Sequence, residues 1–191
     1  VFMNGDFTFN TLSEQVYKHR ILHIATHAEF VPNVQDASYL LDGNGEQITI
    51  DQIGSLALEF DNLHLVVLSA CQTALGGPSL DGTEIAGVSS YFLGTNKAEA
   101  VLATLWRVDD AGTSLLMQRF YELMATGDLT KAEALRQAQL SLLNQEGTLD
   151  RRFETLGLER GLANANAPAS SPATLEHPYY WAPFILIGNS L

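Results

Sequence analysis

The sequence predicts an α/β fold in which helices flank a small, mainly parallel β-sheet. Short apolar runs alternate along the chain with segments of helical periodicity, which is the pattern of strand–helix–strand units. The 191 residues are 46% hydrophobic and 17% charged, a composition typical of one globular domain with a substantial core. We therefore expect a single domain over residues 1–191.

The first half of the chain contains two predicted strands. A short polar helix is predicted at 11–20 and the first strand at 21–26. A long loop at 28–62, with a turn at 42–45, then leads to the second strand at 63–70. Within the loop, Asp51 is a candidate N-cap for a short helix that ends near Leu56.

The second half begins with a Gly-rich loop at 76–82. It is not a phosphate-binding loop, because no Gly-Lys-Ser/Thr follows it. Asp81 or Thr83 then caps a helix, whose apolar face has the spacing i, i+3, i+7: Ile85, Val88 and Phe92. A third buried strand is predicted at 100–105.

Two longer helices follow this strand. Asp109 and Asp110 open the first one, and its predicted inward side chains are Leu116, Phe120 and Leu123. Residues 130–133 match a capping box and start the second helix, which ends near Leu143.

A mobile loop and a final strand complete the chain, at 159–175 and 181–187. The total is about four strands and four helices, and a sheet of this size has an open edge. The chain begins at Val1 rather than at a methionine. We therefore expect it to be part of a longer protein, whose N-terminal strands pair with that edge.

Charge and cysteine content exclude several classes of protein. The formal net charge of −12 argues against a nucleic-acid partner and permits the attraction of basic peptides. No apolar run approaches the roughly 20 residues that span a bilayer, so no membrane partner is expected. A single cysteine excludes an internal disulfide and indicates a reducing, cytoplasmic compartment.

The single cysteine, Cys71, lies just past the second apolar run, and His27 lies just past the first. Parallel strands present their carboxyl ends at one sheet edge, so both side chains are expected there. A thiol with a free pKa of about 8.5 attacks as the thiolate, and a neighbouring imidazole can take its proton. The pattern predicts a Cys71–His27 pair. The alternative for a lone cysteine is a small buried hydrophobe.

Three histidines, His19, His23 and His27, are spaced by four residues. On a helix they would form a metal-binding face, but the surrounding β-branched residues favour a strand. At about 3.3 Å per residue, His23 and His27 then lie roughly 13 Å apart. We expect no metal and no cofactor, and we expect His23 to pack near the site or to hydrogen-bond in the core.

Four segments resemble the signature blocks of the CHAT domain family, which is similar to caspases and separases. They are HIATH at 23–27, LSACQTA at 68–74, LWRVDD at 105–110 and HPYYWAPF at 177–184. The resemblance extends from about residue 20 to the end of the chain. It implies a three-layer caspase-like sandwich, here without its N-terminal strands.

The resemblance also implies roles for individual residues. Cys71 becomes the nucleophile, and His27 becomes the general base that later protonates the leaving amine. The family's histidine is usually followed by glycine, whose N–H helps to form the oxyanion hole with that of Cys71. Ala28 stands there instead, which keeps the N–H but lacks left-handed freedom.

Substrate binding is implied at the third block. Asp110, with Asp109 beside it, matches the separase acid that binds a basic side chain before the scissile bond. The alternative is that both aspartates cap the following helix. Trp106 is interpreted either as a pocket residue or as a core aromatic. Ser69 is not expected to be a nucleophile, because no Gly-x-Ser-x-Gly surrounds it.

Two functions follow from these residues. The first is a cysteine endopeptidase that cleaves protein or peptide substrates after a basic residue. The second is a catalytically inactive CHAT-like module for binding or regulation. The resemblance further implies a partner in the longer protein, either N-terminal helical repeats or another regulator.

Overall fold

The structure, a computed structural model, describes residues 1–29, 38–56, 63–69, 91–93, 98–106, 110–144 and 175–191. Two compact units divide the chain: Val1–Arg107 with Phe184–Ser190, and Val108–Pro183 with Leu191. The strands among these residues are β1 Ile21–Ile24, β2 Ala28–Glu29, β3 Tyr39–Leu41, β4 Gln47–Thr49, β5 Leu65–Leu68, β6 Ala100–Thr104 and β7 Phe184–Gly188. The α-helices are α1 Phe9–Gln15, α2 Ile50–Ser55, α3 Asp110–Met124, α4 Lys131–Leu143 and α5 Pro178–Trp181.

The larger sheet has the strand order β1-β5-β6-β7. The first three strands run parallel, and β7 pairs antiparallel with β6. Every residue of β5 is at most 2% exposed, and every residue of β6 is buried. Strands covered on both faces read as continuous apolar runs, which is the reason the sequence indicated them. The predicted mixed α/β fold with a mainly parallel sheet is confirmed.

The final strand begins later than predicted. Pro178 starts the short helix α5, so Trp181 lies in a helix and the strand starts at Phe184. Proline suits the first turn of a helix because its missing N–H has no partner there. The strand ends at Gly188, which has φ +104°, and a Cβ there would lie 2.4 Å from the Glu99 carbonyl oxygen. Only glycine fits at this position.

One face of the larger sheet packs against α1. Alternate residues of the strands, such as Val66 and Leu68, share a core with Leu12 and Val16. The predicted helix at 11–20 is in fact α1 followed by a 3₁₀ turn at Val16–Lys18. It starts earlier because the Thr8 hydroxyl accepts a hydrogen bond from the Thr11 N–H at 3.1 Å.

A second, antiparallel sheet of β2, β3 and β4 occupies the region predicted to be mostly loop. That prediction is wrong, because strands of two or three residues are too short to show an alternating pattern. The predicted turn at 42–45 is confirmed as the link between β3 and β4. The Asp42 carboxylate accepts from the N–H groups of Asn44 at 2.8 Å and Glu46 at 2.9 Å.

Helix α2 follows β4 directly. Its N-cap is Thr49 rather than the predicted Asp51, which lies in the first turn. The Thr49 hydroxyl accepts from the Gln52 N–H, and the Gln52 side chain accepts from the Thr49 N–H. This reciprocal capping box fixes the start of the helix.

In the second unit, α3 packs against α4. The predicted inward residues Leu116, Phe120 and Leu123 are all buried. Thr130 caps α4 as predicted, accepting from the Glu133 N–H at 3.2 Å. The reciprocal bond of a capping box, from the Thr130 N–H to the Glu133 carboxylate, is not among the hydrogen bonds of this helix start. The Glu133 carboxylate accepts two hydrogen bonds from Arg136 instead.

Several predictions fall on residues outside those described: the Gly-rich loop at 76–82, most of the helix after Thr83, and the loop at 159–174. The end of that helix is described, and Phe92 is fully buried as predicted. Among the described helices, none combines the length and the apolar character that a bilayer crossing requires.

Candidate active site

The carboxyl edge of the parallel strands gathers three of the predicted segments. Residues 25–27 follow β1, Ser69 follows β5, and residues 105–106 follow β6. Because these strands are adjacent and parallel, their carboxyl ends lie at the same edge of the sheet. Ligands and catalytic groups of open α/β sheets occupy this kind of edge. Cys71 lies outside the described residues.

Contacts between β1 and β5 continue one residue past the end of β5. The Ser69 N–H donates to the Ile24 carbonyl oxygen at 3.0 Å. The Ser69 hydroxyl also makes a hydrogen bond with Nε2 of His23. His23 pairs in register with Val67, and Ser69 lies two residues further on the same face of the sheet. Ser69 is therefore held to β1 by its backbone and by its side chain.

Partial burial changes the chemistry of His23. Desolvation of the imidazole lowers its pKa below the usual 6.5, although part of the residue is open to solvent. The ring is therefore neutral at neutral pH, and Nε2 can accept a hydrogen bond from the Ser69 hydroxyl. His23 therefore forms a hydrogen bond, as one of the two expectations had it, but the bond lies at the partly exposed carboxyl edge of the sheet and not in the core.

His27 is held by the second sheet. The Leu41 N–H donates to the His27 carbonyl oxygen at 2.8 Å, and the Thr26 hydroxyl donates to the Leu41 carbonyl oxygen at 2.7 Å. The His27 side chain is exposed. The backbone around His27 is thus anchored to β3, while its imidazole remains open to solvent.

Ala28 is buried in β2 and pairs with Leu40 of β3. The bond from the Leu41 N–H to the His27 oxygen makes Ala28–Leu40 the kind of antiparallel pair that exchanges no hydrogen bonds. The Ala28 N–H therefore points away from β3. Among the described non-glycine residues, only Asn4 has a positive φ, so the backbone at Ala28 requires no glycine.

The remaining predicted residues are only partly described. Trp106 is half-buried and lies at the carboxyl end of β6. Asp110 is the first residue of α3, as expected for a residue that opens a helix, but its side chain and all of Asp109 lie outside the described residues. Of the predicted site residues, His27, Ala28 and Trp106 are described with their side chains, and all three belong to the first unit.

Sequence reasoning missed the contributions of Thr26 and Leu41. Thr26 stands beside His27 in the first block, so its position was a signal, but its acceptor lies in the unpredicted strand β3. Across the part of the chain that the structure describes, no group of three or more His, Cys, Asp or Glu side chains could hold a metal ion.

Comparison with known proteins adds one finding. The family model of the CHAT domain matches residues 1–189 of the 191-residue chain. The match covers the larger sheet, the second sheet and the carboxyl edge described above. A search of curated proteins finds no match.

Proposed function

The chain belongs to the CHAT domain family, which is related to the caspase-like peptidases, and from this premise we propose that it is a cysteine endopeptidase. Cys71 is the proposed nucleophile, and His27 is the proposed general base. The observation that supports this pairing most is the parallel register of β1 and β5. His27 is the third residue after β1 and Cys71 the third after β5, so chain connectivity keeps both near one edge.

The proposed reaction has two steps. In the first, the His27 imidazole takes the thiol proton, the Cys71 sulfur bonds to the peptide carbonyl carbon, and the imidazolium protonates the departing amine. In the second, His27 takes a proton from water, the hydroxide bonds to the thioester carbon as the carbon–sulfur bond breaks, and the imidazolium returns its proton to the thiolate, which frees the acid and restores the thiol. No metal or cofactor is needed to balance either step.

The proposed oxyanion hole uses the backbone N–H groups of Ala28 and Cys71. Its support is the orientation of the Ala28 N–H, which points away from the ladder with β3. The extended backbone at Ala28 also removes one argument for an inactive module. That argument was the loss of left-handed freedom, and an extended residue does not use such freedom.

The proposed specificity is for a basic side chain before the scissile bond. By resemblance, Asp110 pairs with the arginine or lysine through charge-assisted hydrogen bonds, with Asp109 and Trp106 as neighbours in the third block. The net charge of −12 favours the approach of basic peptides. A helical-repeat region or another regulator of the longer protein is the proposed partner.

A panel of fluorogenic peptides that differ only in the residue before the reporter tests this proposal. Peptides with Arg or Lys should be cleaved and those with Asp or Leu should not. Cys71→Ala and His27→Gln should each lower kcat by at least about 10³-fold. Asp110→Asn should raise KM for both the Arg peptide and the Lys peptide.

The matched control is His19→Gln, which alters another exposed histidine just before β1. It should retain wild-type kcat. Full activity in Cys71→Ala would contradict the proposal, and so would a wild-type chain that cleaves no peptide while remaining folded. The second result would favour a binding module.

A further inference from the structure

We propose that His23 is a positioning residue for the Cys71 segment and acts through its hydrogen bond with the Ser69 hydroxyl. The inference rests on the proposed function and extends it, because neither the proposed Cys71–His27 pair nor the proposed oxyanion hole uses His23. It gives a role at the site to a histidine that sequence reasoning considered as a metal ligand, as a packing residue or as a hydrogen-bonding residue of the core.

The hydrogen bond between His23 and Ser69 joins the two strands that lead to the proposed catalytic pair. His23 is in β1, and Ser69 is the first residue after β5. The bond thus crosses between the two strands whose carboxyl ends lead to His27 and to Cys71. It lies on the face of the sheet that carries Val67, opposite the face that packs against α1.

Ser69 is held twice. Its N–H donates to the Ile24 carbonyl oxygen at 3.0 Å, and its hydroxyl bonds with His23. Ser69 is two residues before Cys71, and Ile24 is three residues before His27. Fixing Ser69 against β1 therefore fixes the start of the nucleophile segment relative to the base segment.

Neither Ser69 nor His23 is needed as a reacting group in the proposed mechanism, and yet a polar bond joins them at the site. A neutral imidazole that carries its proton on Nδ1 can accept a hydrogen bond from the hydroxyl at Nε2. The tautomer that carries its proton on Nε2 can donate a hydrogen bond to the hydroxyl oxygen. An apolar side chain at position 23 would leave the Ser69 hydroxyl without this partner.

The chain offers a matched control at the opposite end of the same two strands. His64 precedes β5, and its Nε2 lies 2.7 Å from the Arg20 guanidinium, which precedes β1. Its Nδ1 lies 3.5 Å from the Glu99 carboxylate. This histidine joins the amino ends of the strands, far from the residues that lead to Cys71. If a lost contact between β1 and β5 lowers activity only by destabilising the sheet, His64→Leu should lower activity as well.

The experiment compares His23→Leu, His23→Gln, Ser69→Ala and the His23→Leu/Ser69→Ala double variant with His64→Leu. Two readouts are used: kcat and KM for the Arg peptide, and the rate of alkylation by iodoacetamide. Cys71 is the only cysteine, so the mass gain of the intact chain reports its alkylation alone.

We expect His23→Leu and Ser69→Ala each to lower kcat about 10- to 100-fold, with KM unchanged, because small misplacements of a reacting group have effects of this size. The glutamine variant should recover most of the loss, since its amide can bond with the Ser69 hydroxyl. The double variant should be no worse than the poorer single variant. Alkylation should slow in the same order, and His64→Leu should match wild type in both readouts.

Wild-type kcat in both His23→Leu and Ser69→Ala would overturn the inference. So would equal losses in the leucine and glutamine variants, additive losses in the double variant, or an equal loss in His64→Leu. Ser69→Ala removes only a hydroxyl, so it decides the matter if His23→Leu does not fold. A wild-type chain that neither cleaves peptides nor shows enhanced thiol reactivity would instead refute the proposed function, before any His23 variant is made.

Discussion

Thr26 offers a direct test of how the second sheet supports His27. Its hydroxyl donates to the Leu41 carbonyl oxygen at 2.7 Å, and Leu41 in turn donates its N–H to the His27 oxygen. Thr26→Val keeps the shape of the side chain and removes the donor. The Leu41 carbonyl then loses this partner at a half-buried position.

The magnitude follows from the single hydrogen bond that is lost. Such a bond contributes about 0.5–1.5 kcal/mol net, and partial exposure of Thr26 places the expected loss near 1 kcal/mol. For a chain of this size, that loss corresponds to a fall of about 2–4 °C in Tm. Because the same bond anchors the backbone beside His27, kcat for peptide cleavage should fall as well, by about tenfold.

Urea unfolding followed by far-UV circular dichroism gives the free energy of unfolding. Thr26→Ser is the control, because it keeps the hydroxyl and loses only a half-buried methyl group. It should retain kcat close to that of wild type. The reasoning would be refuted if Thr26→Val were as stable and active as wild type, or if Thr26→Ser lost as much activity as Thr26→Val.

Three further predictions concern other parts of the chain. Ala28→Pro removes the proposed oxyanion donor without breaking a hydrogen bond to β3, so the rate of peptide cleavage should fall about 10²–10³-fold, while Ala28→Gly should retain activity. Equal cleavage rates in the proline and glycine variants would exclude the Ala28 N–H as an oxyanion donor. Hydrogen bonds from Arg136, and to a lesser extent from Gln137, lower the pKa of Glu133 from 4.5 to about 2. Arg136→Ala should therefore raise the Glu133 pKa, as measured by NMR titration. The stability that this carboxylate contributes is present above pH 4.5 and is lost as the pH falls through about 2, so the Tm difference between variant and wild type should shrink over that range. Thr49→Ala removes the capping box of α2 and should lower the free energy of unfolding in urea by about 1 kcal/mol, and an unchanged value would contradict the assigned cap.

The larger sheet was predictable because its central strands are buried on both faces. A strand such as β5 must then be apolar at every position, and such a run is visible without knowledge of its neighbours. The helices α3 and α4 were predictable for a related reason, since their apolar residues recur at helical spacing and Thr130 marks one start.

The small sheet could not be predicted in the same way. Its strands are two or three residues long, which is too short to show the alternation of apolar and polar residues that marks a strand. The extended conformation of Ala28 depends on the pairing of β2 with β3, so the sequence alone left open the backbone geometry of an alanine where the family usually has glycine. The cap at Thr49 was different, because Thr49 and Gln52 already have the spacing of a capping box.

The bond between His23 and Ser69 depends on register. Periodicity indicated that both residues lie near strand ends, but a shift of one residue between β1 and β5 would place the two side chains on opposite faces. The observed pairing of His23 with Val67 brings them to the same face. The sheet edge could therefore be identified from sequence, whereas the contacts among its described residues could not.

The most direct test of the central claim is covalent trapping of Cys71 by a peptide chloromethyl ketone that ends in arginine, with intact mass as the readout. The account predicts one adduct per wild-type chain, no adduct with Cys71→Ser, and slower labelling with His27→Gln and with Asp110→Asn. A wild-type chain that is folded and takes up no reagent would contradict the account, as would an equal adduct on Cys71→Ser.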